Sequence, residues 1–385
     1  MSASVKAHVA IVVDSIIPGG GVNNIALNQS IALSQHFSVT IVCAHGKTEN
    51  TGISTHQVNE PKLFWLKRYG HFIRALILSS RFCDKLKQID AEHKIDFILF
   101  HSHLHAATAR EKLRQDLKMG MLIHGDIFTR PVGTYDPLLT RLYKWSSVKA
   151  YKSIDLIVAL SPYMREKAIT YGAAKESVAV IPNGINIQDQ PNTKKTPVEP
   201  NKFTVLFIGR LSKEKDPITL LKAMLLLDER INLSLGGDGP LHNDIKNFIH
   251  NRGLSNRVTL HGHISAQKVN ELYQQSDVFC IPSVSDPLPT VVLEAMSTGL
   301  PVIGTNVEGI PFMVEHNKNG LIVPPSDPEA LAKAIEHLFN SPALRTEYGV
   351  AAKKRISDTF SLSSSTKKLI EHIERTMNCK QGKKS

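Results

Sequence analysis

With 385 residues, of which 42% are hydrophobic and 21% charged, the chain has the balance of a soluble globular protein and exceeds one ordinary core, so two domains of roughly 180 residues each are expected. No run approaches the roughly 20 apolar residues of a membrane span, and the opening M-S-A-S-V-K-A-H lacks a secretory apolar stretch, which points to a cytoplasmic protein. The formal net charge is +11, and the four cysteines, Cys43, Cys83, Cys280 and Cys379, lie far apart without C-x-x-C spacing, which argues against a disulfide framework or a zinc site.

In the first half, short apolar runs rich in β-formers alternate with helical patterns: 8–14, 39–43, 97–100, 121–124, 156–160 and 178–181 read as buried parallel strands. After the first of them comes P-G-G-G-V-N-N (18–24), where Gly20 and Gly21 permit positive φ and a close approach of backbone N–H groups to a phosphate or sugar. A tight turn explains these glycines equally. The G-x-G-x-x-G spacing and its acidic partner are missing, which disfavours a nicotinamide dehydrogenase.

Residues 60–152 hold 17 Lys and Arg against 9 Asp and Glu, so most of the positive charge lies here. Within them, 63–87 interleaves Phe64, Trp65, Phe72, Ile73, Leu76 and Ile77 with Lys67, Arg68, Arg74, Arg81, Lys85 and Lys87. Such a basic amphipathic stretch suits an anionic membrane surface. It suits equally a helix packing its apolar stripe on a core, with Gly70 as a break. Nucleic acid is disfavoured because no binding motif accompanies the charge.

Histidines follow two of the strands: His101, His103 and His105 after 97–100, and His124 closing 121–124. No acidic or cysteine residue has metal-site spacing to them, and no Asp-x-Asp pair of the kind that holds a divalent ion on a nucleotide diphosphate occurs, so no metal is expected. His124 is read as a hydrogen-bond donor to a transferred group, or as a structural histidine.

The polar stretch 187–202, with three prolines, is expected to link a first domain, 1–186, to a second, 203–360. Strands at 203–209, 231–236, 258–262, 278–282 and 301–305 alternate with helices at 217–227, 241–252, 267–275, 291–298 and 328–339. Two doubly wound α/β domains follow, with a ligand at the carboxyl ends of the strands, in the cleft between them.

Three loops of the second half carry candidate chemistry. In G-R-L-S-K-E-K-D (209–216), Arg210 and Lys215 are spaced to converge on a diphosphate with Glu214 orienting one cation, unless the segment is a solvated charge run. G-G-D-G-P (236–240) is a turn at a strand end, with Pro240 expected at the first helical position. In 282–304, Pro287 and Pro289 lack N–H donors and Thr290 is expected as the N-cap of a helix from Val291, whose free amides and positive end suit a phosphate. Asp286 precedes that helix and Glu294 lies one turn inside it.

In this order, the Gly-rich loop, S-P-Y-M-R-E, V-I-P-N-G-I-N, F-I-G-R-L-S-K-E-K-D, G-G-D-G-P-L, V-T-L-H-G-H, D-P-L-P-T-V-V-L-E-A-M and L-I-V-P-P-S-D-P-E-A-L resemble, over nearly the whole chain, the retaining glycosyltransferases of family 4, also described as glycosyl transferases group 1. The resemblance implies a GT-B fold: two facing Rossmann-like domains, the first binding an acceptor and the second a nucleotide sugar. It further implies that Arg210 and Lys215 neutralise the donor diphosphate, that Glu294 binds the ribose hydroxyls, and that Asp286 and His124 face the donor sugar. Gly262 and His263 would lie near the base. Leu288, Thr290 and Val291 would serve sugar and phosphate oxygens through their amides, Gly20 and Gly21 match the N-terminal loop near the diphosphate and acceptor, and Gly209 would belong to the nucleotide-sugar site. His101 matches the family's other strand-end histidine, and 361–385 matches a helix crossing back to the first domain followed by a basic tail. Two departures stand out: Asp286 replaces a glutamate, and Asn186 stands where aspartate is commoner.

The resulting expectation is a metal-independent, cofactor-free hexosyltransferase. It would move a sugar from a nucleotide diphosphate, UDP above all, to a glycan or lipid-linked acceptor in surface polysaccharide or lipopolysaccharide assembly, in the cytoplasm or at the inner face of the membrane. A nucleotide-sugar epimerase of the same fold and a non-catalytic nucleotide-sugar-binding protein are the alternatives.

Overall fold

A computed structural model describes residues 6–17, 21–48, 51–61, 70–124, 137–186 and 202–379. They form two compact units, one of Met1–Pro182 with Ser365–Ser385 and one of Asn183–Ser364. Among the described residues, no helix is long and apolar enough to cross a membrane.

The first unit is built on seven parallel strands: β1 (His8–Ser15), β2 (Ser38–His45), β3 (Ser54–Gln57), β4 (Phe97–Phe100), β5 (Lys118–Ile123), β6 (Leu156–Ala159) and β7 (Val178–Val180). Their order is β3-β2-β1-β4-β5-β6-β7. The inner strands are apolar at successive positions because helices cover both faces of the sheet, and all four residues of β4 are buried. At the sheet edge, β3 reads S-T-H-Q and is half exposed, so its polar sequence carried no strand signal.

One face of this sheet buries Val9, Ile11, Ile41, Phe97 and Leu99 together with Leu369, Ile370 and Ile373 of the helix Leu362–Asn378. The first unit closes at Pro182, four residues before the boundary read from the sequence. The physical cause is pairing of the next residues with the second unit: Ile185 N–H donates to the Phe360 carbonyl and Leu362 N–H to that of Ile185, both at 2.9 Å. Of the expected linker, 187–201 lies outside the described residues, as does the basic tail from 380.

The second unit has six parallel strands: β8 (Phe203–Ile208), β9 (Ile231–Gly236), β10 (Val258–Gly262), β11 (Val278–Ile281), β12 (Val302–Thr305) and β13 (Gly320–Val323). They are ordered β10-β9-β8-β11-β12-β13. The four-residue β13 was not read from the sequence as a strand. Pro240 is not a first helical residue, since the helix it precedes runs His242–Asn251 with Leu241 at its cap.

Both sheets reverse their winding direction once. The switch falls between β1 and β4 in the first unit and between β8 and β11 in the second. Such points leave a crevice at the carboxyl ends of the strands, because the connections on either side depart in opposite directions.

Candidate active site

At the second switch point, β8 and β11 deliver two loops that are fastened together. The Glu214 carbonyl accepts from the Val284 amide at 2.9 Å, so Glu214 joins the loops through its backbone. Lys215 Nζ forms an ion pair with Asp286 Oδ2, and the Ser283 hydroxyl reaches the same oxygen at 3.4 Å. Asp286 is only 5% exposed. Burial pushes its pKa up, while the Lys215 charge and hydrogen bond work against that rise. Arg210, by contrast, is exposed and has no side-chain partner among the described residues.

The other edge of this site is the helix Thr290–Thr298. It begins one residue earlier than read from the sequence, with Pro289 rather than Thr290 at the cap position and no side-chain cap. The Thr290 and Val291 amides are therefore left for a ligand, while that of Val292 donates to the Pro289 carbonyl at 3.1 Å. One turn in, Glu294 Oε2 accepts from the Tyr273 hydroxyl at 3.0 Å. Burial raises the Glu294 pKa, and the Tyr273 hydrogen bond opposes the rise. Tyr273, on the helix Ala266–Gln274, is itself fully buried and was not singled out by the sequence.

A third group of loops closes the site on the β9 and β10 side. Gly209 N–H donates to the Gly236 carbonyl at 3.0 Å, and Gly237 N–H to that of Gly262 at 2.8 Å. Gly237 has φ +132, and a Cβ there would stand 1.9 Å from the Gly209 carbonyl oxygen, so only glycine permits this approach. Gly262 ends β10, and His263 beside it is exposed.

The loop after β12 adds a residue that sequence reading missed. Glu308 adopts φ +43, and one of its carboxylate oxygens accepts from the Ser285 hydroxyl at 2.8 Å. Burial raises its pKa, and the charge of the adjacent Asp286 raises it further. Its positive φ was the structural signal, and a sequence does not display it.

In the first unit, Asp14 near the end of β1, His101 after β4 and His124 after β5 gather at the first switch point. The rings of His101 and His124 stack with centroids 4.9 Å apart, and His101 Nδ1 meets His124 Nε2 at 2.8 Å. Burial lowers the His124 pKa to about 4, and burial also holds His103 at about 4. His101 is driven well below its ordinary value by burial and by His124. All three are thus neutral at pH 7. His105 turns away from them: its Nε2 meets Asp14 Oδ1 at 2.8 Å and its Nδ1 meets the Ser79 hydroxyl at 2.6 Å. Partial desolvation works to raise the Asp14 pKa, but the His105 hydrogen bond and charge outweigh it and hold the carboxyl below its usual value. Among the described residues, no three His, Cys, Asp or Glu side chains are placed to hold a metal ion.

Family models match both halves: Glycosyltransferase Family 4 over residues 19–189 and Glycosyl transferases group 1 over 188–355. The chain belongs to the group 1, family 4 glycosyltransferases. It is similar to the amylovoran biosynthesis glycosyltransferase AmsK of Erwinia amylovora, with 25% identity over 82% of this chain and 77% of AmsK. Its fold is similar to that of sucrose-phosphate synthase from Thermosynechococcus elongatus, with a TM-score of 0.79 and 19% identity over 96% of this chain and 99% of that one. It is likewise similar to Anabaena HepE in complex with UDP-glucose, at TM-score 0.74 and 20% identity over 96% and 99%. The architecture is the GT-B fold, with two Rossmann-like units.

Within this glycosyltransferase, the structure brings Lys215, Asp286, Leu288, Thr290, Val291 and Glu294 onto connected segments of the second unit. Gly209 and Gly262 are joined there through the Gly236–Gly237 turn. His124 and His101 lie together in the first unit. Gly20 lies outside the described residues, and Gly21 begins the helix Gly21–Ser34. Of the basic stretch 63–87, residues 63–69 also lie outside. Gly70 is the first described residue of the helix Gly70–Glu92. Two of the cations on that helix are engaged within the unit, Arg74 by Glu60 and Arg81 by the Asn59 carbonyl, while Ile73 and Leu76 remain exposed.

Proposed function

We propose that this glycosyltransferase retains anomeric configuration, works without a metal, and moves a hexose from UDP to a hydroxyl of a glycan or lipid-linked acceptor in surface polysaccharide or lipopolysaccharide assembly. The observation that carries this reading is the Lys215–Asp286 ion pair on the loop that leads into the uncapped helix start at Thr290, with Arg210 on the same loop as Lys215 and without a side-chain partner among the described residues. Breaking a glycosyl phosphate bond places negative charge on the leaving diphosphate and positive character on the sugar carbon. Arg210 and Lys215, with the Thr290 and Val291 amides, stabilise the departing anion. Lys215 exchanges Asp286 for a phosphate oxygen, which frees Asp286 to face the sugar with His124. Glu294 holds the ribose hydroxyls, Gly262 and His263 border the base, the Leu288 amide serves a sugar oxygen, and Gly20, Gly21 and Gly209 border the diphosphate. The leaving phosphate then takes the proton of the acceptor hydroxyl on the same face.

Support for UDP comes from the HepE complex, and for a polysaccharide acceptor from AmsK. Incubation with a panel of nucleotide sugars, with and without membrane extract, tests the reading. UDP release that depends on the extract, with a glycoside of retained configuration, is expected; conversion of the donor without any acceptor would instead identify an epimerase.

Contact with an anionic membrane rests on Lys67, Arg68 and the exposed Ile73 and Leu76. Changing Lys67 and Arg68 to Glu is expected to abolish co-sedimentation with phosphatidylglycerol vesicles, and undiminished co-sedimentation refutes the contact.

A further inference from the structure

Lys215 serves two carboxylates. Its ion pair is with Asp286 Oδ2, and its charge also works to lower the pKa of Glu308. Asp286 comes from the loop after β11 and Glu308 from the loop after β12. The two loops touch: Gly309 N–H donates to the Asp286 carbonyl at 3.3 Å, and a Cβ at Gly309 would stand 1.7 Å from the Pro287 carbonyl oxygen. One cation thus balances two neighbouring acids.

Two features single out Glu308. Its φ of +43 is a region that residues with a side chain rarely adopt, and such a backbone persists only where its surroundings enforce it. Its carboxylate is also unevenly served. Oε1 accepts from the Ser285 hydroxyl at 2.8 Å, whereas Oε2 is buried and has no hydrogen-bond partner among the described residues. A buried carboxylate oxygen without a donor favours the neutral form, because nothing replaces the water it has lost. Asp286 is better supplied. The Ser283 hydroxyl reaches its Oδ2 at 3.4 Å, and in the glycosyl-transfer reading above it faces sugar hydroxyls, which can donate to a charged carboxylate.

Burial raises the Glu308 pKa, the Ser285 hydrogen bond opposes this, the Asp286 charge adds to it, and the Asp286 amide and the Lys215 charge oppose it in turn. The charged groups acting on Glu308 are therefore Asp286 and Lys215, from the loops after β11 and β8. When Lys215 turns to the donor diphosphate, the two acids lose their shared cation and gain an anionic neighbour. Two like charges so placed do not both stay ionised.

We propose that binding of the nucleotide sugar draws one proton from solvent onto Glu308 Oε2, which keeps Asp286 charged and facing the sugar after Lys215 has left it. The inference rests on the glycosyl-transfer reading and adds to it a residue that ties donor capture to a proton. Glu308 is a positioning residue, acting on the sugar only through Asp286. No covalent bond to carbon or phosphorus changes in this step, and the proton returns to solvent when the nucleotide departs.

Titration calorimetry of the full chain in buffers of unequal ionisation enthalpy counts the protons, with UDP-glucose, UDP-galactose and UDP-N-acetylglucosamine as probes over roughly pH 6.5 to 8. Net proton uptake is expected for the wild type. Because binding consumes a proton, affinity should fall as pH rises, approaching about tenfold per pH unit where one proton is taken up per donor. Glu308→Gln imitates the neutral carboxyl and can still accept from Ser285, so it should bind the same probe without uptake and with affinity independent of pH. Undiminished uptake by Glu308→Gln overturns the proposal, and its loss in Asp286→Asn would then place the proton on Asp286. Wild-type binding without proton uptake also overturns the proposal, while leaving the glycosyl-transfer reading intact. If none of the three probes binds, that reading falls and the inference falls with it.

Discussion

Arg210 and Lys215 are five positions apart, but they stand in opposite electrostatic states. Arg210 is exposed and engages nothing among the described residues, so its removal costs the fold little. Arg210→Ala is expected to lower kcat/KM roughly 100- to 1,000-fold, the usual loss on removing one preorganised charge-stabilising group, with an unchanged melting temperature; retained activity would refute its role. Lys215→Ala leaves the buried Asp286 carboxylate without its counter-ion and is expected to destabilise the second unit by roughly 3 kcal/mol as well as to inactivate. Denaturant titration of the two variants separates these outcomes. The histidines offer a third measurement. His103 and His124 have pKa values near 4 in the folded chain, against 6.5 for an unperturbed imidazole. The unfolded chain therefore takes up protons first as pH falls, and the stability these neutral rings confer is present above pH 6.5 and lost towards pH 4. Their imidazole resonances should stay constant down to about pH 5, and titration near 6.5 would show that they are not buried as described. Spacing brought Arg210 and Lys215 forward as candidates. It did not expose Asp14, whose partner His105 is 91 residues away, nor Tyr273, whose value lies in a hydrogen bond to Glu294.

At the scale of elements, the loops are fitted to one another as closely as the strands. A Cβ at Gly309 would stand 1.7 Å from the Pro287 carbonyl oxygen, so the loop after β12 presses directly on the loop that carries Asp286. Gly309→Ala is expected to cost at least about 2 kcal/mol in a denaturant titration and to weaken donor binding, because the Asp286 loop must move aside. A neutral result would show that the two loops are not in contact. The inner strands were legible because burial on both faces makes them continuously apolar. The polar edge strand β3 was hidden for the complementary reason, and the short β13 offered too few residues to signal. The helix start at Thr290 was displaced by one residue because a threonine before an apolar run reads as a cap, while here Pro289 takes that position.

At the scale of the molecule, each unit repeats one plan: a parallel sheet whose strand order reverses once and whose candidate site residues gather at that reversal. The alternation of apolar runs and helical patterns carried this much in the sequence. Which residues complete which core was not legible, because membership in a core depends on contacts between distant segments. Leu369, Ile370 and Ile373 lie in the core of the first unit although the whole second unit precedes them in the chain. Ile373→Ala is expected to cost about 2–5 kcal/mol and to loosen the first unit selectively. Hydrogen exchange should show faster exchange in β1 and β2 with unchanged protection in β8 and β11; uniform loosening would contradict the division.

The second unit is one uninterrupted segment, whereas the first is assembled from two segments that flank it. A ribosome therefore delivers every residue of the second unit while the N-terminal sheet still lacks its closing helix. The half of the protein that is made first is the last to be finished, and until translation passes Ile373 its sheet presents an apolar face that a chaperone would recognise.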